Sequence, residues 1–282
     1  MRLARISKNQ QLGIATRTSD GVRAVFGRAE LDDFQALIAQ GSDGLHKAGE
    51  IAAAGELINI DNVNFLPPLP CPSKIICLGL NYADHAAEGG FEPPKFPTLF
   101  GRFASSLVGH GAPIVLPKVS SQLDYEGELV AVIGKQARHV TKDQALEHVI
   151  AYSVFNDGSI RDYQMRTPQW TAGKNFDNTG AFGPWLVTAN ELPPGATGLM
   201  LETRLNRQIV QRASTSNMIF DVATTVSLLS EFLTLVAGDV LVMGTPSGVG
   251  AARTPPLFMK AGDVCEVEIE GVGLLRNPIV AE

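Results

Sequence analysis

Residues 124–133 read Asp-Tyr-Glu-Gly-Glu-Leu-Val-Ala-Val-Ile, an acidic segment that leads directly into an apolar strand. Side chains two apart on a strand point to the same face of the sheet, so Glu126 and Glu128 are expected to project together. Two neighbouring carboxylates repel each other, and one of them takes up a proton unless a cation holds both. A hard divalent cation with oxygen ligands relieves that repulsion, whereas a solvated acidic strand edge is the simpler alternative.

Short apolar runs bounded by glycine or proline recur along the chain and predict strands. They include IICLGL at 75–80, GDVLVMG at 238–244 and CEVEIEGVG at 265–273. Helical patterns are fewer: ELDDFQALIAQ at 30–40, a helix that starts with a capping box from Thr141 to Gln144, and DVATTVSLLSEFLTL at 221–235. Asp221 is the expected N-cap of the last helix and Gly238 its expected stop. The sequence therefore predicts a mainly β chain of the α+β class.

A proline-rich stretch suggests how the chain is divided. Residues 61–72 read DNVNFLPPLPCP and carry four prolines, a composition typical of an extended linker. We place a domain boundary near Pro70. Residues 1–70 would form a small N-terminal α/β domain, in which no chemistry is apparent, and residues 71–282 the catalytic domain.

Composition and charge limit the partners of the chain. Its 282 residues carry a net charge of −6 and no dominant basic patch, which argues against a nucleic-acid partner. The start, MRLARISKNQ, lacks the apolar stretch of a secretory signal, and no run approaches the roughly 18 apolar residues of a membrane helix. Cys71, Cys77 and Cys265 form no metal-like cluster. We therefore expect a cytoplasmic protein with reduced thiols and no membrane association.

The segment Asn81-Tyr82-Ala83-Asp84-His85-Ala86-Ala87-Glu88 offers an acid–base pair. His85 and Glu88 are three residues apart, so on one helical turn they would face the same way. A carboxylate beside an imidazole raises its basicity, which suits a general base that activates water. An exposed, ordinary helix pair is the simpler alternative.

Three further segments carry groups that could contribute to a site. Asp157, in NDGSIRD at 156–162, can reach the acidic strand as a third ligand, although Asn-Asp-Gly also suits a plain turn. Lys174, in WTAGKNFD at 170–177, can steady a developing enolate or hold a substrate carboxylate if a metal site lies beside it. The glycine-rich loop GTPSGVG at 244–250 can bring backbone N–H groups close to an anion, but no phosphate-loop lysine follows it.

Taken together, these segments resemble the fumarylacetoacetate hydrolase family from residue 71 to the C-terminus. The motifs occur in the order of the family: I-x-x-x-G-x-N-Y-x-x-H at 75–85, D-Y-E-x-E-L at 124–129, N-D-x-x-x-R-D at 156–162, G-K-x-x-D at 173–177 and G-T-P-x-G-V-G at 244–250. The stretch 203–222 is also similar to the family. Five ordered motifs make this resemblance specific.

The resemblance implies a fold, a metal site and a set of roles. The fold would be a β-sandwich roll of the family type, usually a homodimer. Glu126, Glu128 and Asp157 would hold Mg²⁺ or Mn²⁺, with Ca²⁺ as a further possibility. The implied catalytic residues are His85 and Glu88 on a lid segment and Lys174 beside the metal. The implied substrate contacts are Tyr82, Arg102, Arg161, Gln164 and Thr245.

Three positions depart from the family pattern. Gly79 stands in a region where the eukaryotic namesake has a fourth acidic ligand, so the chain is similar to the shorter bacterial members. Arg102 replaces a lysine that many members carry. Arg207 replaces the glycine of a V-N-G-x-x-x-Q motif, which reads LNRQIVQ here. We expect either arginine to alter the substrate pocket.

The resemblance implies a small keto acid as substrate. Our leading hypothesis is a divalent-metal-dependent hydrolase that cleaves a C–C bond in a 2,4-dioxo acid, an acylpyruvate or fumarylpyruvate, to pyruvate and a carboxylic acid. The same enolate chemistry serves a decarboxylase of oxaloacetate-like acids or an isomerase of 2-hydroxy-dienoates, and fold does not choose between them. The remaining alternative is a binding protein without activity.

Overall fold

The computed structural model describes residues 1–28, 34–88, 92 and 94–282. The strands in this part of the chain are β1 Arg2–Lys8, β2 Gln11–Thr18, β3 Gly21–Phe26, β4 Glu56–Ile58, β5 Asn64–Phe65, β6 Ile75–Gly79, β7 Thr98–Gly101, β8 Leu107–Val108, β9 Ile114–Leu116, β10 Leu123–Asp124, β11 Gly127–Ile133, β12 Val149–Asp157, β13 Ser159–Ile160, β14 Gly180–Thr188, β15 Met200–Leu205, β16 Gln208–Ser214, β17 Val240–Val242, β18 Val264–Ile269 and β19 Gly273–Ala281. The α-helices are α1 Phe34–Ala39, α2 Gly41–Ala53, α3 Ala83–Glu88, α4 Lys142–Ala145, α5 Arg161–Gln164, α6 Thr171–Lys174 and α7 Val222–Phe232.

A large mixed sheet forms the centre of the molecule. Its main order is β4-β3-β2-β1-β14-β12-β11-β17-β6-β7, with β5 beside β1 and β8 beside β14. Strands β11 and β14 are buried along their whole length, as their apolar runs require when both faces of a sheet are covered. The acidic end of β11 is therefore fixed in the most buried part of the fold.

A second sheet covers one face of the first. It has the order β16-β15-β18-β19-β9. Strand β18 alternates between buried and more exposed positions, so one face packs inward and the other meets solvent. Two packed sheets with few helices confirm the mainly β, α+β fold of the sandwich-roll type.

The helix predictions are confirmed in position but not in every detail. Asp221 caps α7 by accepting a hydrogen bond from the Thr224 N–H at 2.7 Å. The helix ends at Phe232, because Leu233 already has extended backbone angles, so Gly238 does not stop it. Helix α4 begins after Thr141, but the predicted capping box is wrong, because the Thr141 hydroxyl donates to the Gln144 side chain instead. Of the helix predicted over 30–40, residues 30–33 lie outside the described residues and α1 covers 34–39.

The boundary near Pro70 stays a prediction. Strands β1 to β5 precede it, and β1 pairs with β14, so residues on both sides of Pro70 contribute to one sheet. Among the cysteines, Cys77 and Cys265 are buried and Cys71 is exposed, all as free thiols. In the part of the chain that the structure describes, no helix has the length and apolarity needed to cross a membrane.

Candidate active site

Three carboxylates meet where β11 and β12 run side by side. The two strands are antiparallel with Gly127 opposite Asn156, and the Asp157 N–H donates to the Glu126 carbonyl at 2.8 Å. This register brings the Asp157 side chain to the pair from the acidic strand. One ligand oxygen from each of Glu126, Glu128 and Asp157 lies within 4.8 Å of the others, and all three residues are buried. The predicted acidic cluster is therefore assembled, and it is not a solvated strand edge.

Cations contact two of these carboxylates but not the third. The Lys174 ammonium, which is 1% exposed, lies 2.6 Å from both Glu126 and Asp157. We call these four residues (Glu126, Glu128, Asp157 and Lys174) the floor. Arg161 adds a second cation to Glu126 at 2.7 Å, and Arg102 pairs with Asp157.

The Glu128 carboxylate is held differently. It accepts a hydrogen bond from the Gly244 N–H, and no cation pairs with it among the described residues. It is thus the least compensated charge of the floor.

Glu126 and Glu128 have opposite ionisation tendencies. Burial alone would raise the pKa of Glu126, but Lys174 and Arg161 outweigh burial and hold it below its usual range. For Glu128, burial raises the pKa well above its usual range, and the charges of Asp157 and Glu126 add to the effect. Burial would lower the pKa of Lys174, yet Asp157 and Glu126 raise it, so this lysine stays an ammonium.

This donor set fits a hard divalent cation. The three candidate atoms are all carboxylate oxygens, the ligand type that Mg²⁺, Mn²⁺ and Ca²⁺ share. A divalent cation beside Glu128 would remove the reason for that carboxylate to take up a proton. Glu126, Glu128 and Asp157 are the residues that could hold it.

The glycine-rich loop at 244–250 directs its N–H groups at anions, as predicted, but the anions belong to the protein. Gly244 donates to Glu128, and Gly248 donates to both Glu88 oxygens at 3.0 Å. Gly250 donates to Asp124 at 2.8 Å. One loop therefore connects the floor, the Asp124 carboxylate and the helix that carries the acid–base pair.

Helix α3, which we call the lid helix, lies over this loop. The His85 Nδ1 atom is 3.5 Å from a Glu88 carboxylate oxygen, so the predicted pair faces one way. Glu88 is oriented by Gly248, and its pKa is lowered because the nearby His85 imidazole and the hydrogen bonds from Gly248 outweigh burial. Asp84 accepts a hydrogen bond from the Ser247 hydroxyl at 2.8 Å. Both acidic residues of the lid helix thus fasten it to the loop.

The floor and the lid helix border one cavity of about 390 Å³. Its lining residues are Leu78, Gly79, Leu80, His85, Glu88, Phe100, Glu126, Glu128, Arg161, Gln164, Met165, Trp170, Lys174, Thr245, Val249, Ala251 and Ala252. A larger cavity of about 660 Å³ lies elsewhere, between residues 39–42, 134–136, 147–150 and 236–237, and has none of the predicted site residues. The smaller cavity is therefore the candidate active site.

Most of the predicted site residues line this cavity, and three lie behind its wall. Asp157 is covered by Lys174 and Arg102. Arg102 is buried and donates to Asp157, Gly158 and Thr179, so it supports the floor from below. The Tyr82 hydroxyl is buried without a hydrogen-bond partner. Substrate contact by Arg102 and Tyr82 stays a prediction.

The departures from the family pattern have separate explanations. A Cβ at Gly79 would lie 2.2 Å from the Trp170 ring, so the wall has no room for an acidic side chain there. Arg207 is not among the described residues that line this pocket, so its expected effect on the pocket stays a prediction. It lies in the two-residue turn between β15 and β16 and lines a different cavity with Asn206, Val264, Glu266 and Arg276. The motif places it in a hairpin, and only the tertiary structure shows where the hairpin points.

Several residues with a role in this site were not singled out from the sequence. Asp124 pairs with Arg161 at 2.8 Å and thereby orients it. The Asn81 side-chain amide donates hydrogen bonds to the carbonyl oxygens of Phe220 and Met243 and accepts one from the Phe220 N–H. These bonds anchor the start of the lid segment. Asp124 and Asn81 both stand inside quoted motifs, so position in a motif was the available signal. Ser247 carried no signal beyond its place in the glycine-rich loop.

Comparison with known proteins finds relatives of this chain in both sequence and structure. The family model described as fumarylacetoacetate (FAA) hydrolase C-terminal matches residues 74–280. The mitochondrial oxaloacetate tautomerase fahd2 of Xenopus laevis is 42% identical over 226 residues, which cover 79% of this chain and 70% of that protein. The solved structure of a fumarylacetoacetate hydrolase from Exiguobacterium antarcticum matches with a TM-score of 0.85 at 34% identity and covers 100% of both chains.

A second solved structure carries ligands. It is the fumarylpyruvate hydrolase of Pseudomonas aeruginosa in complex with Mn²⁺ and pyruvate, with a TM-score of 0.69 and 33% identity over 78% of this chain and 92% of that one. The family model covers well over half of the sequence, and its span contains every predicted site residue. This chain therefore belongs to the fumarylacetoacetate hydrolase family.

Proposed function

We propose that this protein is a divalent-metal-dependent enzyme that forms the enolate of a small 2-oxo acid, with cleavage of an acylpyruvate as the first candidate reaction. The observation that carries the proposal is the placement of His85, backed by Glu88, on the wall of the same cavity as the floor. A proton-transfer group and a carboxylate cluster therefore face the same cavity, so one substrate molecule could contact both. The resemblance to a fumarylpyruvate hydrolase supports the same reading.

Glu126, Glu128 and Asp157 would hold the metal. When bound, a divalent cation supplies Lewis-acid stabilisation to the 2-oxo group and to the negative charge of the enolate. The metal would compensate the charge of Glu128 above all, because Glu126 and Asp157 already form ion pairs with lysine and arginine side chains. Mg²⁺ and Mn²⁺ are the proposed ions, with Ca²⁺ as the further possibility.

Arg161 is placed to bind a substrate oxygen. Its Nε atom donates to Asp124 and one terminal nitrogen to Gln164, but Nη2 is buried without an acceptor. A buried guanidinium N–H without a partner is costly, so an incoming carboxylate or keto oxygen would satisfy it. Lys174, held as an ammonium, and Gln164 line the same wall and add donors there. Together they orient the acid and favour developing negative charge.

His85 would act as the general base on water. It takes a proton from the water, whose oxygen bonds to the 4-keto carbon of the acylpyruvate. The bond between carbons 3 and 4 then breaks, and its electron pair leaves as the enolate of pyruvate. Protonation at carbon 3 gives pyruvate, while the acyl part leaves as a carboxylic acid. A general base positioned in this way contributes roughly 10²- to 10⁴-fold in rate. Glu88, 3.5 Å from Nδ1, would orient the imidazole.

Oxaloacetate tautomerisation is the second candidate. It is favoured by the relative from Xenopus laevis, which bears that name. His85 would then move a proton between carbon 3 and the oxygen on carbon 2, and no water is consumed. The same cavity residues would bind the diacid, since both reactions pass through an enolate.

The test is a panel of acylpyruvates and oxaloacetate with Mg²⁺, with Mn²⁺ and with EDTA. Pyruvate release and the ultraviolet absorbance of the enol are followed for the wild type, His85→Ala and Glu88→Gln. If acylpyruvates give pyruvate and the matching acid, and both EDTA and His85→Ala abolish this, the hydrolase stands. If only the keto–enol exchange of oxaloacetate is accelerated, the enzyme is a tautomerase. His46→Ala, at an exposed histidine of α2, is the matched control and should leave the rates unchanged.

A further inference from the structure

The wall of the candidate active site changes character from the floor to the mouth. The floor carries the charges, whereas Met165, Ala251 and Ala252 line the cavity and are exposed, so they form its rim. Met165 is 70% exposed, unusual for a large apolar side chain. Trp170, Phe100 and Val249 continue the apolar wall inward. A substrate held at the floor would direct the rest of its chain along these groups.

The cations of the cavity are confined to its inner part. Among the described lining residues, the permanently charged cations are Lys174 and Arg161, and both contact floor carboxylates. Arg166 and Arg253 follow rim residues in sequence, but neither lines the cavity. The Arg166 guanidinium lies over the Tyr163 ring, 3.5 Å from its centroid, and Arg253 donates to the carbonyl oxygens of Gly248 and Val210. Among the described residues, those that line the rim therefore offer no cation to a second acidic group.

We propose that this cavity selects 2-oxo acids whose far end is uncharged and apolar, and that it discriminates against those with a second carboxylate at carbon 5 or beyond. The inference rests on the proposed function, because it assumes that the 2-oxo acid end is bound at the floor. It adds the class of the substrate's tail, which the family as a whole leaves open.

The physical reason is desolvation. An apolar tail gains free energy because it buries surface against Trp170, Val249 and Met165. A carboxylate in the same place loses water and finds no cation or donor in return, which costs more than a lost hydrogen bond. Oxaloacetate would escape this cost. Its second carboxylate is bonded to carbon 3 and would therefore remain near Lys174, Arg161 and Gln164.

Binding of matched non-reacting ligands tests the inference apart from catalysis. The pair is 2-oxopentanoate and 2-oxoglutarate, which have the same chain and differ in a terminal methyl or carboxylate group. Oxalate, a planar mimic of the pyruvate enolate without a tail, serves as the anchor. Trp170 lines the cavity, so its fluorescence reports binding in the presence of Mg²⁺ or Mn²⁺, with isothermal titration as the second readout.

We expect 2-oxopentanoate to bind at least about tenfold more tightly than 2-oxoglutarate. In Met165→Lys, which places a cation at the rim, the ratio should fall by about tenfold or reverse, while oxalate affinity stays the same. Leu57→Lys adds the same charge at an exposed position of β4, at the opposite edge of the sheet order from β7, and should leave the ratio unchanged.

Two other results would overturn the inference and can be told apart. If oxalate binds and the two tailed acids bind equally, the floor works as proposed but the rim does not select the tail. If oxalate and both acids fail to bind with either metal, the proposed function fails and the inference fails with it.

Discussion

The floor and the lid helix of the active site are held in place by different physics. The floor lies at the end of two buried strands, and two of its three carboxylates, Glu126 and Asp157, are paired with buried cations at 2.6 to 2.7 Å. The lid helix has six residues and is fastened by hydrogen bonds of Asp84 and Glu88 that the structure places near solvent. Changes in the floor should therefore alter stability and activity together, whereas changes in the lid helix should alter activity alone.

The largest expected effect comes from removing the shared cation of the floor. Lys174→Met leaves Glu126 and Asp157 buried with fewer partners, and we expect a loss of about 3–5 kcal/mol in the free energy of unfolding together with loss of activity. Denaturant unfolding checks this, with Lys118→Met at an exposed lysine as the control. A variant as stable as the wild type would show that the ion pairs of Lys174 with Glu126 and Asp157 do not stabilise the fold. If the variant does not fold, added Mg²⁺ should partly restore folding.

Glu128→Gln separates metal binding from charge compensation. At 100 times its dissociation constant, a metal should stabilise the wild type by about 2.7 kcal/mol and the variant by much less. In EDTA the variant should be at least as stable as the wild type, because it removes the one floor carboxylate that no cation of the described residues contacts. Glu147→Gln, at an exposed position, is the control for loss of one charge. A metal-induced rise in Tm that survives in Glu128→Gln would exclude this residue as a ligand.

The same variant gives a pH signature in EDTA. Burial raises the pKa of Glu128 above that of the unfolded chain. Its contribution to stability is then fully present below the unfolded value of about 4.3, and is lost as the pH rises through the folded value. The free energy of unfolding of the wild type, measured against that of Glu128→Gln, should therefore fall as the pH rises from the unfolded to the folded pKa of Glu128. The two curves would run in parallel if Glu128 had an ordinary pKa.

A smaller effect is expected at the lid helix. Ser247→Ala removes the hydrogen bond to Asp84, and we expect KM to rise about two- to fivefold with the free energy of unfolding within about 0.5 kcal/mol of wild type. Ser247→Thr should restore KM, since it keeps the hydroxyl. In a double-mutant cycle with Asp84→Ala the effects should not add, and additive effects would mean that this contact does not hold the lid helix. Ser121→Ala is the control at an exposed serine.

The smallest expected effect lies outside both regions. Arg207 has a φ of 70°, a left-handed conformation that glycine adopts without strain. Arg207→Gly should therefore stabilise the protein by about 0.5–1 kcal/mol and leave KM unchanged. The same change at Gln208, the first residue of β16, should destabilise it instead. An altered KM in Arg207→Gly would show that this residue influences the substrate pocket after all.

Much of the floor could be predicted because its signals are local. The period of two along a strand placed Glu126 and Glu128 on one face, and the end of the next strand supplied Asp157. The helical spacing of three placed His85 beside Glu88. These predictions depend on backbone geometry within a few residues, which sequence patterns record well.

The partners of those residues could not be predicted in the same way. Arg102 was expected to touch substrate, yet it pairs with Asp157, 55 positions along the chain. The loop at 244–250 was expected to bind an anion, and the anions are Glu88, Glu128 and Asp124. The sequence shows which residues can donate, but not which acceptor the fold brings within reach.

The sequence by itself determined that this chain builds a carboxylate cluster and an acid–base pair on a mainly β framework, since strand and helix periodicity fix which side chains share a face. Only the tertiary structure decided that Glu128 has no cation partner among the described residues, that the lid helix is fastened through Ser247 and Gly248, and that the rim of the cavity is apolar. Those features depend on contacts between distant segments, whose distances are set by the packing of the two sheets.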